Sequence, residues 1–256
     1  MEDLALISGI GQDVLVKAFI VFLRVGAMVS LLPVFGEQSV PTRVKLGLAL
    51  AFTAIVAPAA PSIPAGFSMS QGVGLLFAET LTGLFLGLML RLFVITLQIA
   101  GSIAAQSTSL SQLFGGGGMD PLPSMGHVLV YGGLALATVF GLHVQLAEFI
   151  IHSYAMVPLG NVIPADMITQ AGVKEVARSF ALGFTLAAPF VIASLVYNVT
   201  LGIINKAMPQ LMVAFVGAPA ITAGGLFILT LAAPLMLSLW IDGLGQFLND
   251  PFRGYP

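Results

Sequence analysis

Apolar residues recur in long runs near 14–32, 44–60, 73–100, 128–151, 180–204 and 211–241. Each run approaches or exceeds the roughly 20 residues that cross a bilayer as a helix. A strand buried in a barrel wall would alternate polar and apolar side chains, and these runs do not. Unbroken apolar backbone in lipid must satisfy its own hydrogen bonds, which a helix does within one segment. The pattern therefore predicts an all-α, polytopic membrane-type protein with about six hydrophobic helical segments.

Prolines and glycines punctuate the runs. The first ends at Pro33 and is followed by the link Phe35-Gly36-Glu37-Gln38-Ser39-Val40-Pro41-Thr42-Arg43, so the second helix is expected to start after Pro41. Pro58, Pro61 and Pro64 close that helix and leave 62–71 as a loop. The third run continues without proline through Gln98, Ser102, Gln106, Ser109 and Gln112, spaced so that they share one helical face. A helix over 73–113 would be on the order of 60 Å long, about twice the hydrocarbon thickness. It should leave the membrane plane or bend.

The segment Leu113-Phe114-Gly115-Gly116-Gly117-Gly118-Met119-Asp120-Pro121 follows, four glycines giving freedom and proline giving a stop. Residues 161–179 carry Asp166, Lys174, Glu175 and Arg178 and are expected to face water, with a short amphipathic helix. The last two runs read as an antiparallel hairpin joined through Asn205-Lys206-Ala207-Met208-Pro209. No linker is polar enough to separate a pair of domains, so 1–256 is expected to be one domain, with a weak division into 1–179 and 180–256.

Composition agrees with a membrane protein: of 256 residues, 58% are hydrophobic and only 8% charged, against about a quarter charged in soluble proteins. The net charge of −2 and the absence of a basic stripe argue against nucleic acid. With no cysteine, thiolate metal sites and cysteine nucleophiles are excluded. Glu2 and Asp3 stand where a signal peptide would be basic, so the first run is expected to stay in the mature chain. Basic residues in alternate loops tie, Lys174, Arg178 and Arg253 against Arg43, Lys45 and Lys206, and leave the orientation open.

Small residues four apart, Gly47 and Ala51, Gly83 and Gly87, and Gly133, Ala137 and Gly141, would let helices approach closely, within the chain or against another subunit. Lys17, Arg24, Glu79, Arg91 and Glu148 lie inside apolar runs, where a charge needs a partner or an interfacial position. Arg91 is deepest, and Glu79, twelve residues earlier, cannot reach it along one helix. Its partner must come from another helix, another chain or water. His127, His143 and His152 lack the spacing of a metal pair, and no nucleophile, base and orienting group can be assembled. The glycine run lacks the Gly-Lys-Ser/Thr ending of a phosphate cradle. Neither an enzyme nor a cofactor site is expected.

Phe35-Gly36 to Val40-Pro41, Arg43 to Leu50 (RVKLGLAL), Met119-Asp120-Pro121 and Pro158-Leu159-Gly160 stand in an order that resembles the FliR family of flagellar export proteins. Phe180-Ala181-Leu182-Gly183 to Pro189, then Pro209-Gln210-Leu211-Met212-Val213 to Val216-Gly217 and Pro219, extend the resemblance over essentially the whole chain. The nearest related group is the injectisome homologues of type III secretion, so an injectisome export-gate homologue is the alternative reading within the resemblance. The Gly115–Gly118 run is longer than the family pattern leads one to expect.

The resemblance implies a subunit of the flagellar type III protein export gate, in the bacterial inner membrane at the flagellar basal body and raised above the bilayer plane. It implies FliP-like and FliQ-like partners in a helical ring, FlhB-like and FlhA-like export components, and unfolded flagellar proteins as cargo, with membrane lipid around the assembly. It implies a FliP-like N-terminal portion, a FliQ-like hairpin over 180–241 and no catalysis, the energy coming from the proton-motive force and an export ATPase through partners. Gln106, Ser109, Phe114, Gly115, Gly116, Gly117, Gly118, Met119, Asp120 and Pro121 would belong to a loop that plugs the closed channel. Arg91, Gln98 and Ser102 are candidates for lumen or subunit contact. A small secondary transporter or channel subunit is the competing class, supported by the intramembrane charges and proline-interrupted helices.

Overall fold

The computed structural model describes residues 2–37, 39–61, 69–108, 124–208 and 213–251. Among these the secondary structure is helical, in seven helices: α1 (Glu2–Val29), α2 (Thr42–Ala59), α3 (Met69–Thr108), α4 (Ser124–Val139), α5 (Leu142–Met156), α6 (Ala165–Ala207) and α7 (Val213–Asn249). Four of them, α2, α3, α6 and α7, are long and apolar enough to cross a membrane, and α4 with α5 would make a fifth span.

The proline boundaries of α2 hold where the sequence put them, whereas α3 begins at Met69, inside the loop expected over 62–71. Helix α2 begins directly after Pro41 and ends one residue past Pro58. Helix α3 is unbroken for 40 residues, about 60 Å at 1.5 Å per residue. Two further expectations are corrected. The fourth apolar run is two helices, because Gly141 adopts φ 77°, a left-handed conformation that ends α4 and precedes α5. Residues 161–179 do not hold a short separate helix: α6 starts at Ala165 and runs 43 residues to Ala207, passing through Pro189. Asp166 in its first turn and Lys206 in its last both complement the helix dipole. That stretch is also drier than expected on one side, since Glu175 and Ser179 are buried while Lys174 and Arg178 are exposed.

The chain forms two compact units, each discontinuous in sequence. The first comprises 1–92, 138–175 and 246–256. Its α1–α3 contact depends on glycine: a Cβ on Gly83 would stand 2.2 Å from the Arg24 carbonyl oxygen, and one on Gly87 would press on Met28. These two small residues therefore serve ordinary packing within the chain. Val21, Val25, Met28 and Leu32 of the α1 side and Leu86 and Leu90 of α3 are buried here, and Phe149 meets Phe247 at 6.0 Å between ring centres.

The second unit comprises 93–137 and 176–245. Trp240 is fully buried in it and its Nε1–H donates to the Phe93 carbonyl at 2.7 Å, so the ring is packed without an unsatisfied donor. Gly133 lies against Leu97 and Trp240, and Gly101 lies against Gly126 with no room for a Cβ on Gly101. Gly47, by contrast, faces open space.

Candidate functional site

Two polar constellations sit in the first unit. At its centre, Arg24 on α1 and Glu79 on α3 are both fully buried. Arg24 Nε donates to Glu79 Oε2 at 2.7 Å and Nη2 donates to Glu79 Oε1 at 3.0 Å, a two-point pairing that suits the planar guanidinium. Nη2 also donates to the Val157 carbonyl at 3.0 Å, and Nη1 to Ser153 Oγ at 3.2 Å. The guanidinium lies 3.9 Å over the Tyr154 ring centre. Gly160, at φ 81°, turns its backbone N–H toward Glu79 Oε1 at 2.8 Å. The Pro158-Leu159-Gly160 turn thus closes the cluster, and a residue with a side chain would resist that φ. The Tyr154 hydroxyl is buried with no partner among the described residues.

A charge pair this dry is stable only because further bonds surround it. What it does is tie α1, α3, α5 and the turn after α5 at one point. The sequence marks both residues as charges inside apolar runs. It does not pair them, because 55 residues separate them and only tertiary packing joins them.

The second constellation is the turn between α1 and α2. Phe35 N–H donates to the Pro33 carbonyl at 2.8 Å around Val34, which holds φ 67°. This is a γ-turn of the positive-φ kind, the rarer and more strained form, and a β-branched residue there is an outlier. Three contacts hold it in place. Arg91 Nη1 donates to Glu37 Oε1 at 2.6 Å, Lys45 Nζ donates to the Gly36 carbonyl at 3.0 Å, and Phe35 meets Phe52 edge-on at 6.1 Å. Arg91 therefore has its partner within the chain. Both members of that pair remain about one-fifth exposed.

The candidate channel residues lie on or beyond α3. Gln98 and Ser102 are half-buried and Gln106 is exposed; Ile99 and Ile103, on the adjoining flank, are half-buried as well. Ser109, Phe114, Gly115, Gly116, Gly117, Gly118, Met119, Asp120 and Pro121 lie outside the described residues. The two roots of that segment are described. Thr108, the last residue of α3, bonds back to Ala104 O at 3.0 Å and stands 3.8 Å from Met125 Sδ at the start of α4. Gly225 of α7 leaves space for the Thr108 side chain, and Gly101 packs on Gly126 two turns earlier. The chain therefore leaves α3 and enters α4 from adjacent, closely packed points in the second unit. His127 stacks on Tyr131 at 5.9 Å, and among the described residues no three His, Asp or Glu side chains gather as around a metal.

Residues 15–247 match the family described as bacterial export proteins, family 1. The flagellar biosynthetic protein FliR of Caulobacter vibrioides is 33% identical over 241 residues, which make up 91% of this chain and 94% of the relative. This chain belongs to the FliR family of bacterial export proteins. The FliR proteins of Escherichia coli and Aquifex aeolicus are each 28% identical, covering 84% and 88% of this chain and 83% and 88% of themselves. The matched residues 15–247 contain both polar constellations and both roots of the glycine-rich segment.

Proposed function

We propose that this protein is the FliR-type subunit of a flagellar protein export gate in the bacterial inner membrane. In the assembly it joins FliP-like and FliQ-like subunits in a helical ring at the basal body, receives FlhB-like and FlhA-like components, and surrounds the path of unfolded flagellar proteins. The observation that carries this is end-to-end similarity to proteins named for flagellar biosynthesis, at 33% identity across nearly the full length of both chains. Helices α3 and α6, each about 60 Å or more, suit an assembly that rises beyond a hydrocarbon layer of about 30 Å.

Three of the intramembrane charges that would favour a solute transporter are paired, Arg24 with Glu79 and Arg91 with Glu37 of the α1–α2 link, so these three line no pathway as single charges. The segment from Gln106 to Pro121 is proposed as the closure element, with Phe114 and Met119 as apolar stoppers and Gly115 to Gly118 as the yielding backbone. Gln98 and Ser102 are proposed to face a hydrated lumen or a subunit contact. In a strain lacking this gene, flagellar subunits should vanish from the culture medium while remaining present in the cells, and a plasmid copy should restore them. Undiminished secretion of hook and filament subunits in the deletion strain would refute the function.

A further inference from the structure

We infer that the groove between α1 and α2 is a binding site for one acyl chain of an anionic phospholipid. The groove has a volume of about 290 Å³ and runs between Phe22 and Ala49 at one end and Ser30 and Lys45 at the other, with Thr80 of α3, whose hydroxyl is already bonded to the Leu76 carbonyl, also in its lining. Gly26 lines it without a side chain, and a Cβ there would rest in ordinary contact with the Phe22 ring at 3.6 Å. The space corresponds to about ten water-sized groups, enough for a carbon chain one atom wide. A partner helix, about 10–12 Å across with its side chains, is too thick to enter it.

The headgroup follows from charge. Lys45 Nζ bonds only to the neutral Gly36 carbonyl, and Arg43, exposed and three residues before the groove-lining Leu46 on the same face, has no ion pair or hydrogen bond among the described residues. The nearest acid in the link, Glu37, is engaged by Arg91. Two unneutralised cations therefore stand beside the polar end of an apolar slot. They occupy the first turn of a helix able to span a membrane, the depth at which lipid phosphates sit. A phosphate with a single net negative charge complements them; a zwitterionic headgroup cancels the attraction.

The test uses the full-length chain in mild detergent, incubated with phosphatidylglycerol or phosphatidylcholine and weighed by native mass spectrometry. One phosphatidylglycerol should be retained in preference to phosphatidylcholine. The double variant Arg43→Gln/Lys45→Gln should weaken that retention about 30-fold, from the usual contribution of a basic residue at an anionic surface. Gly26→Leu, which fills the slot, should abolish retention of both lipids; if that variant does not fold, the charge variant decides alone. Equal retention of the two lipids, or retention unchanged in the charge variant, would overturn the proposal. So would a Gly26→Leu protein that keeps its phosphatidylglycerol but no longer associates with its partner subunits, since the groove would then hold protein.

Discussion

Replacing Arg24 with Met is expected to cost about 3–5 kcal/mol, the usual penalty for leaving one member of a buried ion pair alone. The carboxylate of Glu79 would keep only the Gly160 N–H at 2.8 Å, in a site with no exposure to solvent. Glu79→Leu should cost a similar amount, stranding the guanidinium among Ser153, Val157 and Tyr154. The double variant Arg24→Met/Glu79→Leu should be far less damaging than the sum, because two apolar side chains can fill that volume without charge. It should not be silent: the Gly160 N–H and the Val157 carbonyl lose their partners, at about 1–3 kcal/mol for a buried polar group left unsatisfied. Arg24→Lys should fall between, since an ammonium cannot reproduce the two-point contact and reach Ser153 and Val157 together. Loss of monodisperse protein on heating in detergent measures the series, with exposed Asp13→Asn as the control. Single variants as stable as that control, or a double variant as unstable as the summed singles, would show that the pair does not organise the unit.

The contrast between what the sequence reveals and what it hides follows from range. Helix α3 is legible because nothing between residues 73 and 108 breaks it, and α2 because prolines stand at both ends. The split of the fourth run is not, because one glycine in an apolar run is compatible with a continuous helix until its φ is known. Arg24, Glu79 and Arg91 announce themselves as charges needing partners, yet Glu37 reads as an ordinary loop residue and Ser153 as an ordinary helix residue. Partners 54 to 129 residues away are chosen by the fold and not by spacing. Gly83 and Gly87 are visible as a pair of small residues, but whether they face a sister helix or another subunit is settled only by the Arg24 carbonyl and Met28 lying against them. The candidate closure segment is legible only as composition, four glycines between Phe114 and Met119. The structure adds its roots at Thr108 and Met125.

Deleting residues 114–119 is expected to leave the export complex assembled and its membrane leaky. The anchoring contacts of the roots, Thr108 with Met125 and Gly101 with Gly126, lie outside the deleted stretch and should survive it. A channel wide enough for an unfolded chain needs apolar side chains at a constriction to exclude water and ions, which Phe114 and Met119 would supply. Methionine also adapts its shape to a moving partner. Gly116→Pro should do the reverse, stiffening the backbone, preserving the seal and slowing secretion. Membrane conductance and secreted flagellar protein are measured in the same cells. A deletion that assembles normally and changes neither quantity would make the segment an ordinary connector.

Membership of a multi-subunit gate is tested most directly by tagging this chain in its own host, extracting the membranes gently and weighing what co-purifies. A single species should emerge in which the tagged chain is bound to both a FliP-like and a FliQ-like chain in fixed proportion. The chain expressed alone should give a smaller yield of monodisperse protein than the complex, because the exposed apolar faces of α6 and α7, including Phe180, Phe184, Phe227 and Leu231, would be left for detergent alone to cover. A stable, monodisperse protein free of both chains, in the host and alone, would contradict it.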